Sequence, residues 1–411
     1  MTGARTKTRW PMLALGALLS LTGGSAWAQT APCRTSGGFD TWLEAFKREA
    51  LAKGIARSAI QAAAPYLTYD ARIVGIDRGQ RIFAMNFLQF HDRLVPKHRL
   101  DNGFIQIKKH AATFAKVEQQ YGVPAPVIVG FWGLESDFGI NMGKDHSIRS
   151  IVSLAYDCRR ADMFRGHLFD ALRIIERGDL KPEEMIGSWA GELGQTQMMP
   201  SEYLKNAIDY DGDGHRNLMK SVPDVIASSA KYLGELGWKR GEPWLDEVRV
   251  PDNLSANFPW DQSDLAIQQP RSKWAAWGVT RADGRPLAND SLPASLLLPV
   301  GRHGPAFLAY DNFHVYLKWN NSLVYSTTAA FYASRLAGAG PMRRGNPDIP
   351  KLSFEQTKEL QQALTRRGHD VGKVDGLLGA QSRIAVKKEQ IKAGLPADSW
   401  PTPELLERLR R

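Results

Sequence analysis

The feature that most constrains this sequence is a helical spacing of apolar residues through its first half. From residue 39 to about residue 236, apolar side chains recur every three or four positions, as in FDTWLEAFKREAL and DVIASSAKYLGEL. Such spacing gives each helix one apolar face, which must pack against a neighbouring element. The chain has 411 residues, of which 43% are hydrophobic. We therefore predict a mainly helical globular protein of two or three domains.

The pattern changes between about residues 240 and 310. Pro, Asn, Asp and Trp become frequent there, and the short runs VRV and SLLLPV are typical of strands. Helical spacing returns in STTAAFYA, and GAGPMRRGNPDIP then forms a linker without periodicity. These changes predict a domain with a β-rich insertion, a linker and a small terminal module, at residues 37–337, 338–351 and 352–409.

The N-terminal residues have the composition of an export signal. Three basic residues precede an apolar run at 12–21, and Ala-Trp-Ala follows at 26–28. We predict a signal peptide over residues 1–28 and a mature protein that is soluble in the periplasm after cleavage. The apolar run is shorter than the roughly 20 residues that a membrane-spanning helix needs, and no later stretch reaches that length. A lipid anchor on Cys33 is the alternative, but Thr-Ala-Pro before it does not resemble a lipobox.

The chain has two cysteines, Cys33 and Cys158. In an oxidising compartment they can pair, but two separate thiols fit the sequence equally well because pairing depends on their distance.

The formal net charge of +10 falls to +7 once the three basic residues of the signal are removed. A cationic surface favours anionic partners outside the cytoplasm, such as cell-wall polymer or acidic membrane faces. Nucleic acid is not an expected partner, because the export signal argues against it and no aromatic and basic recognition motif is present.

An apolar segment, VIVGFWGL, ends at Glu135. On a helical period, the residues seven, four and three positions before it share its face, and these are Ile128, Phe131 and Trp132. An apolar surround and a helix C-terminus both disfavour ionisation of a carboxyl group. Glu135 is therefore a candidate proton donor at neutral pH. The alternative is that it caps local backbone or pairs with a nearby arginine.

A second segment, SWAGELGQTQMMPS at residues 188–201, is typical of a polar binding loop. Its glycines allow close approach of a ligand to the backbone, its glutamines offer donors and acceptors suited to sugars, and Met-Met-Pro supplies an apolar wall.

Together, GLESDFG and SWAGELGQTQMMPS resemble the lytic murein transglycosylases of the membrane-bound lytic transglycosylase B family, which have a lysozyme-like fold. The resemblance extends over residues 39–337 and includes a double arginine, an acidic loop at 209–224 and WNNSLVY near residue 320. It implies that Glu135 is the sole catalytic acid and base. It also implies a set of glycan-binding residues: Ser188, Gln197, Tyr232, Asn320, Tyr325, Arg159 and Arg160.

The resemblance implies cleavage of the β-1,4 bond between N-acetylmuramic acid and N-acetylglucosamine in peptidoglycan. The C6 hydroxyl of the muramic acid would displace the leaving group, without a cofactor, and form a 1,6-anhydro end. A muramidase that uses water and a catalytically silent wall-binding protein are the alternatives. Water-based hydrolysis needs a second carboxylate, and Asp137 is more consistent with a cap. Trp319 replaces the family's tyrosine, which keeps a stacking surface but lacks the hydroxyl.

The segment DYDGDGHRNL begins like an EF-hand loop, with alternating carboxylates and a glycine at the sixth position. Lys220 stands where an EF-hand has its bidentate glutamate. A metal-free acidic turn is the alternative to a structural calcium ion. The resemblance implies a calcium site, with its ligands at Asp209, Asp211, Asp213, the carbonyl of His215, and Asp224.

The C-terminal segment contains LQQALTRRGHDVGKVDGLLG followed by QSRIAVKKEQ. It resembles a peptidoglycan-binding type 1 domain, a three-helix bundle, although Glu389 stands where an aromatic residue is usual. The Gly- and Pro-rich linker predicts that this module is separable. We expect a mainly α (α+β) monomer that binds peptidoglycan glycan strands. The sequence identifies no cell-wall synthesis or secretion protein as a partner.

Overall fold

The computed structural model describes residues 33–34, 37–79, 85–251, 258–345 and 349–411. The predicted signal peptide lies outside the described residues. Within those ranges, no helix combines the length and the apolar character needed to cross a membrane. Residues Cys33–Arg411 form one compact unit.

Helices dominate this unit, as the apolar spacing predicts, and the mainly α (α+β) fold class is confirmed. In the body they are α1 Gly38–Ala52, α2 Arg57–Ala63, α3 Ala71–Gly79, α4 Phe87–Leu94, α5 Lys97–Lys109, α6 Ala111–Tyr121, α7 Ala125–Ser136, α8 Ser147–Tyr156, α9 Ala161–Glu176, α10 Pro200–Asn206, α11 Val222–Glu235, α12 Arg271–Ala276, α13 Asp311–Trp319 and α14 Leu323–Leu336. The C-terminal module contains α15 Phe354–Arg366, α16 Ala380–Lys392 and α17 Pro403–Arg410.

The strands form two antiparallel sheets. The small one pairs β1 Asp145–His146 with β2 Ile186–Gly187. The larger has the order β4-β6-β7-β3-β5, and its strands all fall within the predicted β-rich insertion. They are β3 Leu245–Arg249, β4 Gln269–Pro270, β5 Thr280–Arg281, β6 Pro293–Leu297 and β7 Ala306–Ala309.

The centre of the body is the contact between α7 and α14. Two glycines of α7 allow the helices to approach closely, since a Cβ atom on Gly130 would lie 3.4 Å from Ala333 and one on Gly133 would lie 3.1 Å from Tyr332. The apolar side chains of α7 are buried in the surrounding core, including Ile128, which is fully buried. This packing holds α7 rigidly against a helix that lies almost 200 residues later in the sequence.

The two cysteines form a disulfide, which settles the question that the sequence leaves open. Cys33 and Cys158 have Cα atoms 5.1 Å apart. Beside the bridge, the buried carboxylate of Asp157 pairs with Arg34 at 3.2 Å and with Arg78 at 2.6 Å. The segment at residue 33 is therefore fastened to the body by a covalent bond and a neighbouring ion pair.

The C-terminal module packs against the β region, although the linker composition predicts a free tether. Arg383 of α16 donates hydrogen bonds to the carbonyls of Leu298 (2.7 Å) and Pro299 (3.2 Å). Lys387, one turn later, bonds to Asp264 at 3.1 Å. These contacts dock the module on the loop that follows β6.

Within the module, Glu389 takes part in an ionic cluster where an aromatic residue is usual. Its carboxylate lies 2.6 Å from both His369 Nε2 and Lys392 Nζ. A polar network therefore occupies this position, where the resemblance implies an aromatic residue.

Candidate active site

Helix α7 places Glu135 at its C-terminal end. Pro124 and Pro126 suit the N-terminus of the helix, where backbone N–H groups have no intrahelical partner. The helix ends because Asp137 and Phe138 have positive φ angles of 51° and 62°. Their N–H groups bond back to the carbonyls of Gly133 (3.0 Å) and Trp132 (3.3 Å), which satisfies the last turn.

Glu135 is half-buried at the end of this helix. Burial raises the pKa of its carboxyl group to about 7, and hydrogen bonds from Tyr325 and Trp319 oppose that rise. The negative charge of Glu192 raises the pKa further. Burial is thus the main cause of the raised pKa, and the role of Glu135 as a proton donor stays a prediction.

The two donors to Glu135 come from α13 and α14. Trp319 Nε1 donates to Glu135 Oε1 at 3.0 Å, and the Tyr325 hydroxyl donates to the same oxygen. The indole of Trp319 stacks on Phe131 with ring centroids 4.3 Å apart and contacts Tyr232 at 5.1 Å. Trp319 thus keeps a hydrogen bond as well as a stacking surface, and the sequence did not predict that bond.

The polar loop at residues 188–201 is fixed to the end of α7. Gln195 is buried, accepts a hydrogen bond from Trp132 Nε1 at 2.9 Å, and accepts another at its carbonyl from Ser136 Oγ at 2.5 Å. Its amide nitrogen donates to Met219 O at 3.1 Å. Gln195 therefore holds the loop in place, while the neighbouring Gln197 remains at the half-buried edge.

Ser188 and Glu192 form a pair in this loop. The Ser188 hydroxyl donates to Glu192 Oε2 and accepts from the backbone N–H of Ala190 at 3.1 Å. Burial raises the pKa of the Glu192 carboxyl group. The sequence reasoning missed Glu192, although a carboxylate inside the Gly-rich segment SWAGELGQ is a signal that could have identified it.

The other predicted glycan-binding residues occupy the same region. Gln197 has a positive φ of 49°, and its amide nitrogen donates to the carbonyls of Gly194 (2.8 Å) and Met142 (3.2 Å). Asn320 directly follows Trp319, and its side-chain oxygen accepts from the Ser322 N–H at 3.0 Å. The loop, α11 and the α13–α14 corner thus surround the end of α7.

The double arginine does not pair with Glu135. Arg159 and Arg160 both form ion pairs with the buried carboxylate of Asp77 on α3. The side chains remain 41% and 38% exposed, respectively, so both keep an accessible surface beside this contact. The alternative in which Glu135 pairs with one of these two arginines is therefore wrong.

Asp137 is the cap that the sequence favours. The backbone of Asp137 ends α7, and its carboxylate pairs with Arg99 Nε at 3.0 Å. It is thus engaged in an ion pair at the helix end.

The acidic loop brings three carboxylates together. One oxygen from each of Asp209, Asp211 and Asp213 lies within 4.8 Å of the others. The group within this distance does not include Asp224. The two oxygens of Asp224 accept the backbone N–H groups of Tyr210 and Asn217, both at 2.8 Å. The His215 ring lies 2.9 Å from Gly178 O. The buried side chain of Asp224 therefore binds the backbone of the loop and is not a fourth carboxylate of the cluster.

Comparison with known proteins agrees with this arrangement. Residues 38–334 match the family described as Transglycosylase SLT domain. The chain belongs to this family. Residues 354–409 match a peptidoglycan binding domain family, as predicted for the C-terminal module.

Three proteins similar to this chain have known names or solved structures. Membrane-bound lytic murein transglycosylase B of Escherichia coli strain K12 is 32% identical over 241 residues, which are 58% of this chain and 64% of that protein, less than two thirds of its length. SltB3 from Pseudomonas aeruginosa, in complex with NAG-anhNAM-pentapeptide, has 40% identity and a TM-score of 0.83, covering 91% of this chain and 99% of that chain. Escherichia coli Slt35 in complex with calcium has 27% identity and a TM-score of 0.60, covering 72% and 92%.

Proposed function

We propose that this protein is a lytic transglycosylase that cleaves the β-1,4 bond between N-acetylmuramic acid and N-acetylglucosamine in peptidoglycan. The observation that carries the proposal is Glu135, a half-buried carboxyl group with a pKa of about 7 at the centre of the site. Membership of the SLT domain family supports it. The SltB3 complex with an anhydro-muramic peptide supports the substrate class.

The chemistry needs one group that first gives and then takes a proton. Protonated Glu135 gives its proton to the bridging oxygen as the bond from the muramic C1 to that oxygen breaks. The muramic C6 hydroxyl, held close by the sugar ring itself, then bonds to C1 and gives its proton to the Glu135 carboxylate. The acid is regenerated, no water is consumed, and the product ends in 1,6-anhydro-N-acetylmuramic acid.

A water-using muramidase remains the competing function, because the site contains a second carboxyl group. Hydrolysis requires a carboxylate that acts as a nucleophile or activates water. Asp137 is bound to Arg99, so Glu192 is the residue on which hydrolysis would depend. We expect Glu192 to act in the loop by binding Ser188, with no role as a nucleophile.

Mass analysis of digested sacculi tests this choice. The wild-type protein and Glu192→Gln should both release muropeptides that are lighter by one water than hydrolytic products and resist borohydride reduction. Reducible muramic ends from the wild type, lost in Glu192→Gln, would show that the protein is a muramidase. Absence of any glycan release by the wild type would favour the silent wall-binding protein.

We also propose a structural calcium ion in the acidic loop. Oxygen donors suit calcium, and three carboxylates held within 4.8 Å of one another fit its preference. Asp209, Asp211, Asp213 and the His215 carbonyl would hold the ion, while Asp224 would support the loop from behind. Calcium in the Slt35 complex supports this proposal. The ion would stabilise the loop and take no part in the reaction.

The periplasm is the compartment we propose. The predicted signal peptide and the Cys33–Cys158 disulfide both fit an oxidising compartment that contains peptidoglycan.

A further inference from the structure

The two oxygens of the Glu135 carboxyl group have different environments. Oε1 accepts hydrogen bonds from Trp319 Nε1, at 3.0 Å, and from the Tyr325 hydroxyl. Oε2 has no hydrogen-bond partner among the described residues. The protein therefore presents one oxygen that is held and one that is available.

The position of the Trp319 N–H is fixed by ring packing. Trp319 is the last residue of α13, and its indole lies on the fully buried Phe131 of α7, one turn before Glu135. Tyr232 of α11 contacts the indole as well, at 5.1 Å between centroids. The indole is thus held between two helices, and its N–H has little freedom to turn away from the carboxyl group.

The chemical difference between indole and phenol makes this contact informative. A tyrosine hydroxyl can donate or accept, so Tyr325 alone could accept a proton from Oε1 as readily as donate to it. An indole N–H can only donate. Trp319 and Tyr325 both donate to Oε1. The carbonyl oxygen of a carboxylic acid is a stronger acceptor than its hydroxyl oxygen, so this arrangement favours the neutral form in which the proton resides on Oε2.

We propose that Trp319 is a positioning residue, which fixes Oε1 of Glu135 as an acceptor and thereby makes Oε2 the atom that gives and takes the catalytic proton. This inference rests on the proposed function for its consequence, since the bridging oxygen of the glycan would then have to approach Oε2. It also gives a role to a tryptophan at a position where the resemblance implies a tyrosine: the indole supplies a donor that cannot reverse its direction.

Other groups near Glu135 affect its titration and must be kept unchanged in a test. Tyr325 faces it from α14, and Glu192 acts on it from the polar loop. Asp137, two residues after Glu135, forms an ion pair with Arg99 at the helix end. None of these groups is altered by a substitution at Trp319.

The test uses Trp319→Phe, which keeps an aromatic ring and removes the N–H donor together with the smaller ring of the indole. The titration of Glu135 is followed by NMR of ¹³Cδ-labelled glutamate, and its signal is assigned by its loss in Glu135→Gln. Removing a donor from the carboxylate oxygen should raise the pKa of Glu135 above its wild-type value. Trp319→Tyr, which supplies a hydroxyl in place of the N–H, should give an intermediate value.

Activity on purified glycan strands provides the second measurement. In Trp319→Phe we expect kcat to fall about tenfold with little change in KM, because an acid whose proton can occupy either oxygen is correctly oriented only part of the time. The alkaline midpoint of the kcat profile should rise together with the NMR midpoint. A folded Trp319→Phe protein that titrates like the wild type would overturn the proposal. A raised NMR midpoint in a protein whose wild type releases no glycan would leave the proton assignment standing and refute the proposed function.

Discussion

Glu135→Gln should change the pH dependence of stability as well as abolish turnover. The folded protein raises the pKa of this carboxyl group from 4.5 to about 7, mainly by burial. Between these values the folded chain keeps a proton that the unfolded chain releases, so the wild type loses stability as pH rises. Glutamine does not titrate. It can still accept hydrogen bonds from Trp319 and Tyr325 through its side-chain oxygen, so the variant should fold and bind sacculi.

The magnitude follows from the pKa difference. One pKa unit corresponds to ~1.4 kcal/mol, so the change from 4.5 to about 7 corresponds to about 3 kcal/mol. The stability of Glu135→Gln relative to wild type should therefore increase by about 3 kcal/mol from pH ~4 to pH ~8, and level off above that.

Denaturant unfolding at a series of pH values measures this difference. Glu118→Gln, an exposed position on α6, provides the reference trend. A stability difference between Glu135→Gln and wild type that stays constant across this range would refute the argument that burial holds the proton on Glu135. Turnover above a few per cent of wild type in Glu135→Gln would separately refute its catalytic role.

Two further predictions concern stability away from the site. Calcium should raise the thermal midpoint of chelator-treated protein, because an ion at a hundredfold excess over its Kd stabilises the folded state by about 3 kcal/mol. Asp211→Asn should remove most of that gain. An unchanged wild-type midpoint would argue against the site. Arg383→Met leaves the carbonyls of Leu298 and Pro299 without their donor, which should cost about 1–3 kcal/mol and separate the melting of the module from that of the body. Lys388→Met, exposed on the same helix, should melt like the wild type, and identical curves for both variants would show that docking adds no stability.

The sequence predicts best what depends on local spacing. The helical face that carries Glu135, the cap at Asp137 and the three helices of the module all follow from residues close together in the chain. Apolar periodicity, helix breakers and turn residues act over a few positions, so they are visible without a structure. The position of Glu135 at the end of a buried helix is such a feature.

Contacts between distant segments could not be predicted in the same way. The Trp319 N–H reaches Glu135 only because the indole is sandwiched between α7 and α11, and ring orientation cannot be deduced from residue type. The composition of the Gly- and Pro-rich linker does not show that Arg383 of the module donates to two backbone carbonyls of the body. The resemblance implied Asp224 as a ligand, but its side chain lies outside the group formed by the other three carboxylates and binds backbone N–H groups of the loop.

The distance along the chain between Glu135 and its two donors also bears on the order of folding. Trp319 and Tyr325 follow the acid by 184 and 190 residues. Since a chain emerges from its N-terminus and long-range contacts form late, a growing chain that ends between Glu135 and Trp319 contains the glutamate without either hydrogen-bond donor. For the proposed function, early cleavage of the cell wall would be hazardous, and the hydrogen bonds that hold Oε1 of Glu135 form only once α13 and α14 have packed against α7.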